Sequence, residues 1–284
     1  MILRFLLTAV LLAATLPALA QTKIKAVATF SILGDLLAEV GGERVDVVTL
    51  VGPDTDAHTY QPKPTDARTL SRAQVLASNG LGFEGWIDRL AEAASFKGRH
   101  IVATAGIGGS DPHCWQDVAC ARRYVAAIAD GLAAADPANA PYYRGRAASY
   151  DTRLGELDRW IRSEIAKVPE SQRKAITGHD AFGYFSSAYG VQFHAARTIN
   201  TDSEPSARDV AALIRLVREQ KIKALFIENM INPLLVEQIA HDSGAAVGPR
   251  LYSDALSKPG GPAASYEAMM RYNVTALVAG MLKN

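Results

Sequence analysis

The 284-residue chain carries 30 Lys and Arg against 29 Asp and Glu, and 49% of its residues are hydrophobic. That proportion is globular and excludes a disordered chain, while the balanced charge, with no basic block, speaks against a nucleic-acid binder. The length favours two domains or one large one, and 2 cysteines cannot make a disulfide-dense scaffold.

In chain order, Arg4 gives a short basic start and residues 5–16 form an apolar run. Pro17 breaks it, and Ala18-Leu19-Ala20 reads as a cleavage site. Residues 1–20 are thus expected to be a secretory signal peptide, too short for a membrane span. Cleavage after Ala20 leaves 264 residues starting at Gln21 and removes Arg4 and no acid, so the mature charges balance at 29 each. No cysteine follows the cleavage site, which argues against a lipid anchor there. The expected product is soluble, exported and periplasmic.

Residues 24–29 read as a short apolar strand, 31–40 as a helix stopped by Gly41-Gly42, and 45–51 as a β-branched strand. A helix over 65–72 opens at Pro64. Strand-like 75–78, helical 86–93 and strand-like 101–104 complete a strand–helix alternation. That order predicts a parallel sheet covered by helices. A helix over 119–135 ends at Asp136-Pro137. A second helical pattern spans 140–168, with Tyr143, Ala147, Tyr150, Leu154, Leu157, Ile161 and Ile165 at three- and four-residue steps. Unbroken, it would be roughly 40 Å long and would form a spine between domains; a pair of helices kinked near Gly155 is the alternative.

The alternation then resumes: strand 175–177, helix 181–189, strand 191–193, helix 206–219, strand 224–227, helix 233–243, strand 246–252 and helix 266–282. The predicted class is α/β, two lobes, each a parallel sheet flanked by helices, joined by one long rigid helix. The expected divisions are an N-terminal lobe over 21–138, a linker helix over 139–168 and a C-terminal lobe over 169–284.

In open parallel sheets, ligands bind outside the carboxyl ends of strands. His58, His113, His179 and Asp254 all fall in loops after predicted strands, two in each lobe. Three imidazoles and one carboxylate make a plausible tetrahedral zinc shell. His100, placed before a strand, and His241, late in a helix and facing water, do not share the position; His194 ends a strand. Asn79, Asp180, Glu228 and Asn229 lie near strand ends and are candidates to orient the rings, with ordinary loop capping as the rival role.

These residues belong to an ordered set of motifs: Thr29-Phe30-Ser31-Ile32-Leu33-Gly34-Asp35, His58-Thr59-Tyr60-Gln61-Pro62, Asn79-Gly80-Leu81-Gly82-Phe83-Glu84, Asp111-Pro112-His113 with Trp115, His179-Asp180-Ala181-Phe182-Gly183-Tyr184-Phe185, Ser203-Glu204-Pro205-Ser206 and Tyr252-Ser253-Asp254-Ala255-Leu256. In these the mature chain resembles the periplasmic solute-binding proteins of zinc and manganese ABC transporters (cluster A-I). The resemblance implies two lobes with the metal between them, no enzymatic activity, and delivery to a membrane permease with a cytoplasmic ATPase. It carries ligand roles onto His58, His113, His179 and Asp254. A histidine as third ligand, His179, implies the zinc branch, with one Zn2+ per chain.

The chain departs from that pattern in two places. Residues 106–110, just before the second ligand, contain no histidine, so the His-rich loop common in zinc-specific relatives is lacking. Cys114 follows His113 directly and Cys120 lies six residues on. In an exported protein the pair favours a disulfide, with Cys114 outside the helix that holds Cys120; free thiols and thiolate ligation are the rivals. A secreted zinc hydrolase would need an open coordination position and a base, and no H-E-x-x-H, G-x-S-x-G or Cys-His nucleophile pattern occurs. The expected function is therefore capture of zinc for import by a monomer. Manganese is the alternative cargo, a secreted zinc hydrolase the alternative class, and a periplasmic zinc chaperone a further candidate partner.

Overall fold

The structure, a computed structural model, describes residues 22–284; the signal peptide expected over 1–20 lies outside the described residues. Among the described residues, no helix is long and apolar enough to cross a membrane. The chain opens with β1 (Ile24–Phe30), whose apolar residues are nearly all buried, and continues into α1 (Ser31–Gly41). Gly42 ends this helix at φ 53°, a conformation that glycine adopts without steric cost. β2 (Val45–Val51) is rich in β-branched residues, α2 (Pro64–Leu70) starts on proline, and β3 (Val75–Ser78) is wholly buried. Then come α3 (Ile87–Ala93) and β4 (Arg99–Val102). All four strands are parallel, in the order β2-β1-β3-β4. The strand order reverses between β1 and β3, which opens a crevice at their carboxyl ends.

α4 (Val118–Ala135) is capped by the Asp117 carboxylate, which accepts the Ala119 N–H. α5 (Ala140–Ile165) is one unbroken helix of 26 residues, about 39 Å long at 1.5 Å per residue. Gly155 lies inside it without interrupting it. Its buried stripe is the set of seven residues picked out by periodicity, Tyr143 to Ile165. α5 packs on α1, on α4 and on the closing helix α9 (Tyr266–Met281). One hydrophobic core therefore runs from β1 through α5 to Met269, Met270 and Val274 of α9.

The second sheet is parallel as expected, built on β5 (Lys174–Thr177) and β6 (Gln192–Ala195). Around it stand α6 (Gly183–Tyr189), α7 (Ala207–Glu219) and α8 (Leu234–Ser243). The strands expected over 224–227 and 246–252 appear as isolated parallel bridges, Ile176 to Leu225, Leu225 to Val247 and Glu228 to Leu251. The chain keeps the sheet direction there, with Phe226 N–H bonded to Ile176 O and Leu251 N–H to Ile227 O. Pro249 has no N–H to donate, so a regular ladder cannot propagate through that segment. His100, expected ahead of the fourth strand, lies within β4, and its Nε2 is 2.8 Å from Ser78 Oγ on β3. The strand begins two residues earlier than its apolar part because Arg99 N–H already pairs with Gln74 O.

Cys114 lies in a single 3-10 turn (Cys114–Gln116), and Cys120 in the first turn of α4. They are disulfide-bonded with Cα atoms 5.7 Å apart. Closing so short a loop restricts the unfolded chain by about 2 kcal/mol. The double substitution Cys114→Ser, Cys120→Ser should lower unfolding stability by that amount in denaturant titrations, with the same far-UV spectrum. No loss of stability would mean that the bridge constrains nothing.

Candidate metal centre

His58 follows β2, His113 lies on the loop beyond β4, His179 is two residues past β5, and Asp254 follows the Leu251 bridge. All four converge between the sheets, with one potential ligand atom from each lying within 4.8 Å of the others. His58 Nε2 is 3.2 Å from His113 Nε2 and 3.3 Å from Asp254 Oδ2. His179 Nε2 is 3.0 Å from Asp254 Oδ2, and His113 Nε2 is 3.7 Å from Asp254 Oδ1. The side chains of His113, His179 and Asp254 are fully buried, and that of His58 is 2% exposed.

Two of the rings have a carboxylate behind them, and the His58 backbone has another. Asp111 Oδ1 accepts the backbone N–H of His113 at 3.0 Å and lies 2.8 Å from its Nδ1. Glu228, itself buried, accepts the His179 N–H through Oε1 at 2.9 Å and lies 2.6 Å from Nδ1 through Oε2. Asp56 Oδ1 accepts the His58 N–H at 2.8 Å. The Trp86 indole N–H bonds to Ala57 O at 2.9 Å, and Phe83 and Trp115 pack edge-on against His58 and His113. With Nδ1 of His113 and His179 engaged by carboxylates, Nε2 is left for the centre, the arrangement typical of metal-binding histidines.

A carboxylate network at the sheet's switch point supports the His113 loop. Buried Glu84 accepts Thr29 Oγ1 at 2.5 Å, Asn79 N–H at 2.7 Å and Gly80 N–H at 3.2 Å. Burial raises its pKa, against these hydrogen bonds. Asn79 Nδ2 donates to Pro112 O at 2.9 Å, and its Oδ1 accepts Tyr124 OH. Asn79 thus holds the backbone beside His113 rather than a ring. Asn229 bridges the lobes through Asp54 Oδ1 at 2.9 Å and Ala255 O at 3.1 Å. Asp180 is exposed, and its backbone N–H bonds to Thr198 O at 3.3 Å. Asp111 was missed as an orienting residue, although the spacing Asp-x-His occurs twice, at Asp56 and at Asp111.

The electrostatics favour a cation. Burial alone would lift the Asp254 carboxyl, but the His179 and His113 rings hold it well below the usual range. Burial alone would lower both rings; Glu228 and Asp254 raise His179 well above an ordinary imidazole, and Asp254 with Asp111 raises His113. No Lys or Arg makes an ion pair with Asp254 or Glu228 among the described residues. Buried polar atoms without a hydrogen-bond partner gather here: both Asp254 oxygens and His179 Nε2 at the centre, and His58 Nδ1, His179 Nδ1 and Glu228 Oε2 around it. Such atoms are costly to bury unpaired, and a bound divalent ion would satisfy the central three together. Asp111→Asn should weaken metal binding by about 10- to 100-fold, and Asp180→Ala should leave it unchanged, both read by chelator competition. Equal effects would put the orientation of His113 by Asp111 in doubt.

The chain is similar to known proteins along nearly its whole length. Residues 26–280 match the family described as "Zinc-uptake complex component A periplasmic" (ZnuA). The manganese-binding lipoprotein MntA of Halalkalibacterium halodurans is 34% identical, covering 91% of this chain and 88% of that protein. The iron ABC transporter substrate-binding lipoprotein MtsA of Streptococcus pyogenes is 31% identical over 92% of this chain and 90% of its own length. Among solved structures, the periplasmic zinc binding protein TroA from Treponema pallidum superposes with a TM-score of 0.87 at 28% identity, covering 91% of this chain and 99% of that one. A manganese-bound periplasmic metal binding protein (S38A mutant) from Candidatus Liberibacter asiaticus gives 0.83 at 31% identity, covering 90% and 99%.

Proposed function

We propose that this chain, which belongs to the ZnuA/TroA family of ABC-transporter solute-binding proteins, holds one divalent transition-metal ion on His58, His113, His179 and Asp254. Membership makes it a metal-binding solute-binding protein and not an enzyme, working with a membrane permease and its ATPase on the extracytoplasmic side. The observation that carries the ligand assignment is the convergence of three imidazoles and one buried carboxylate whose inward atoms lack other partners. Two ligands come from each lobe, so the ion ties the lobes together. The division into a lobe over 21–138, a linker over 139–168 and a lobe over 169–284, with a leader cleaved after Ala20, belongs to the same proposal.

For the identity of the ion, relatives named as manganese-binding support manganese as the first reading. Zinc, expected from His179, is supported by the donor set, since imidazole suits zinc and manganese prefers oxygen ligands. Affinity in vitro follows the intrinsic metal order and favours zinc whichever ion is the cargo. Uptake by cells discriminates the two. If the cargo is manganese, deletion of this protein should slow growth in chelated medium, and added manganese but not zinc should restore it. Rescue by zinc alone would establish the zinc reading, and rescue by neither would overturn both.

Binding should depend on pH over a window set by the raised rings. A histidine ligates as the neutral imidazole, so the ion must displace protons from His179 and His113. Because their pKa values are raised, those protons are still bound above the ordinary imidazole value of about 6.5. Asp254 is held low and stays ionised throughout. Apparent affinity should therefore climb with pH through neutrality by at least roughly tenfold per unit, and more steeply in acid as up to three protons compete. Competitive zinc titrations between pH 5.5 and 8 on metal-stripped protein measure this. A flat profile would rule out histidine ligation, and two tight equivalents per chain would rule out a single site.

A further inference from the structure

Asp56 engages two partners at once. Its Oδ1 accepts the His58 N–H at 2.8 Å, closing the turn that presents this ring. Its Oδ2 accepts the Thr201 hydroxyl at 2.5 Å. Thr201 belongs to the other lobe, on the loop between β6 and α7. That loop is itself bonded to the segment carrying His179: Arg197 N–H donates to Gly178 O at 3.0 Å, and Asp180 N–H to Thr198 O at 3.3 Å. It is braced by Arg197, whose side chain is 8% exposed and pairs with Glu204 at 2.6 Å. Behind it lies a groove of about 560 Å³ lined in part by His194, Arg197 and Leu213.

The loop therefore runs as a strap from the backbone of one histidine to the turn of another in the opposite lobe. We propose that Thr201 is a positioning residue for metal retention: through Asp56 it locks the His58 turn to the C-terminal lobe, and release of the ion requires this hydrogen bond to open. The proposal rests on the ligand assignment above. Of the contacts between the lobes, this one joins the local scaffolds of two ligands directly. Asn229 to Asp54 anchors the same loop four residues upstream of His58, and the Trp115 and Gln116 side chains reach Ser253 O, next to Asp254, at 2.8 and 2.9 Å. Those bonds hold segments that flank ligands, whereas the strap ends on the very carboxylate that caps His58.

The consequence is kinetic. A hydrogen bond to a charged acceptor opposes departure of the ion, and its loss should show in the dissociation rate more than in capture. The test loads the metal-stripped full chain with one zinc ion and follows its loss to excess chromophoric chelator by stopped flow. Thr201→Val, which keeps the shape and removes the hydroxyl, should release zinc roughly tenfold faster, the scale of one such bond. Thr201→Ser should release it at the wild-type rate. Melting of the metal-free proteins should be unchanged, because the residue lies on a loop outside both cores. In a His58→Ala background, Thr201→Val should have no further effect, since the strap acts only through that turn. Equal release by wild type and Thr201→Val, or a fall in metal-free melting that accounts for the faster release, would overturn the strap. A wild type that retains no zinc would overturn the ligand assignment and the strap with it, which separates the two failures.

Discussion

The structure depends on one buried carboxylate. Asp254 has no exposed surface, and both of its oxygens lack a conventional hydrogen-bond partner. Its negative charge cannot be left alone in a low-dielectric interior. The His113 and His179 rings supply the balance, drawn toward the charged form by Asp254, Asp111 and Glu228. A divalent ion would replace those ring protons with a stronger, fixed charge. The same electrostatics thus suit the site to the exchange of protons for a cation.

Around that centre the carboxylates divide the work by position. Asp56, Asp111 and Glu228 each accept the backbone N–H of the histidine they serve, so the loops that carry the three histidines are held by a common device. Glu84 does not touch a ring. It holds the loop at the carboxyl ends of β1 and β3, where the strand order reverses, and passes this rigidity through Asn79 to the Pro112 carbonyl. The disulfide fixes the following turn. Between the lobes, α5 and α9 share a continuous apolar core with α1, and Tyr266 N–H, at the start of α9, is capped by Asp35 from α1. Burial, with Glu39 and Glu267 nearby, raises the Asp35 pKa to about 6, against the Tyr266 hydrogen bond. The side of the molecule that carries α5 and α9 is therefore packed with apolar residues, whereas the centre holds three imidazoles and a carboxylate.

Much of this was legible in the residues. β-Branched runs and helix caps marked β1, β2 and α1, and the seven-residue apolar stripe marked α5 as a single helix. The three histidines and Asp254 could be found from their common place after strands, because a parallel sheet delivers its loops to one edge. The last two strands were not legible as bridges, since the pattern of Val, Leu and Ile there is strand-like while Pro249 interrupts the ladder. That Asp180 is exposed could not be read from the sequence, which does not say which way a residue beside a ligand turns. Asp111 and Asp56 carried a readable signal, the repeated Asp-x-His spacing, whose meaning depends on a backbone turn that only the fold displays. Thr201 carried none, since its partner is 145 residues away.

The most direct test of the central claim is a crystal structure of the metal-loaded protein with anomalous data collected on both sides of the metal's absorption edge. The account predicts one strong anomalous peak between the lobes, within coordination distance of Nε2 of His58, His113 and His179 and of Asp254. A peak that excludes any of the three rings, or a second site of equal occupancy, would contradict it.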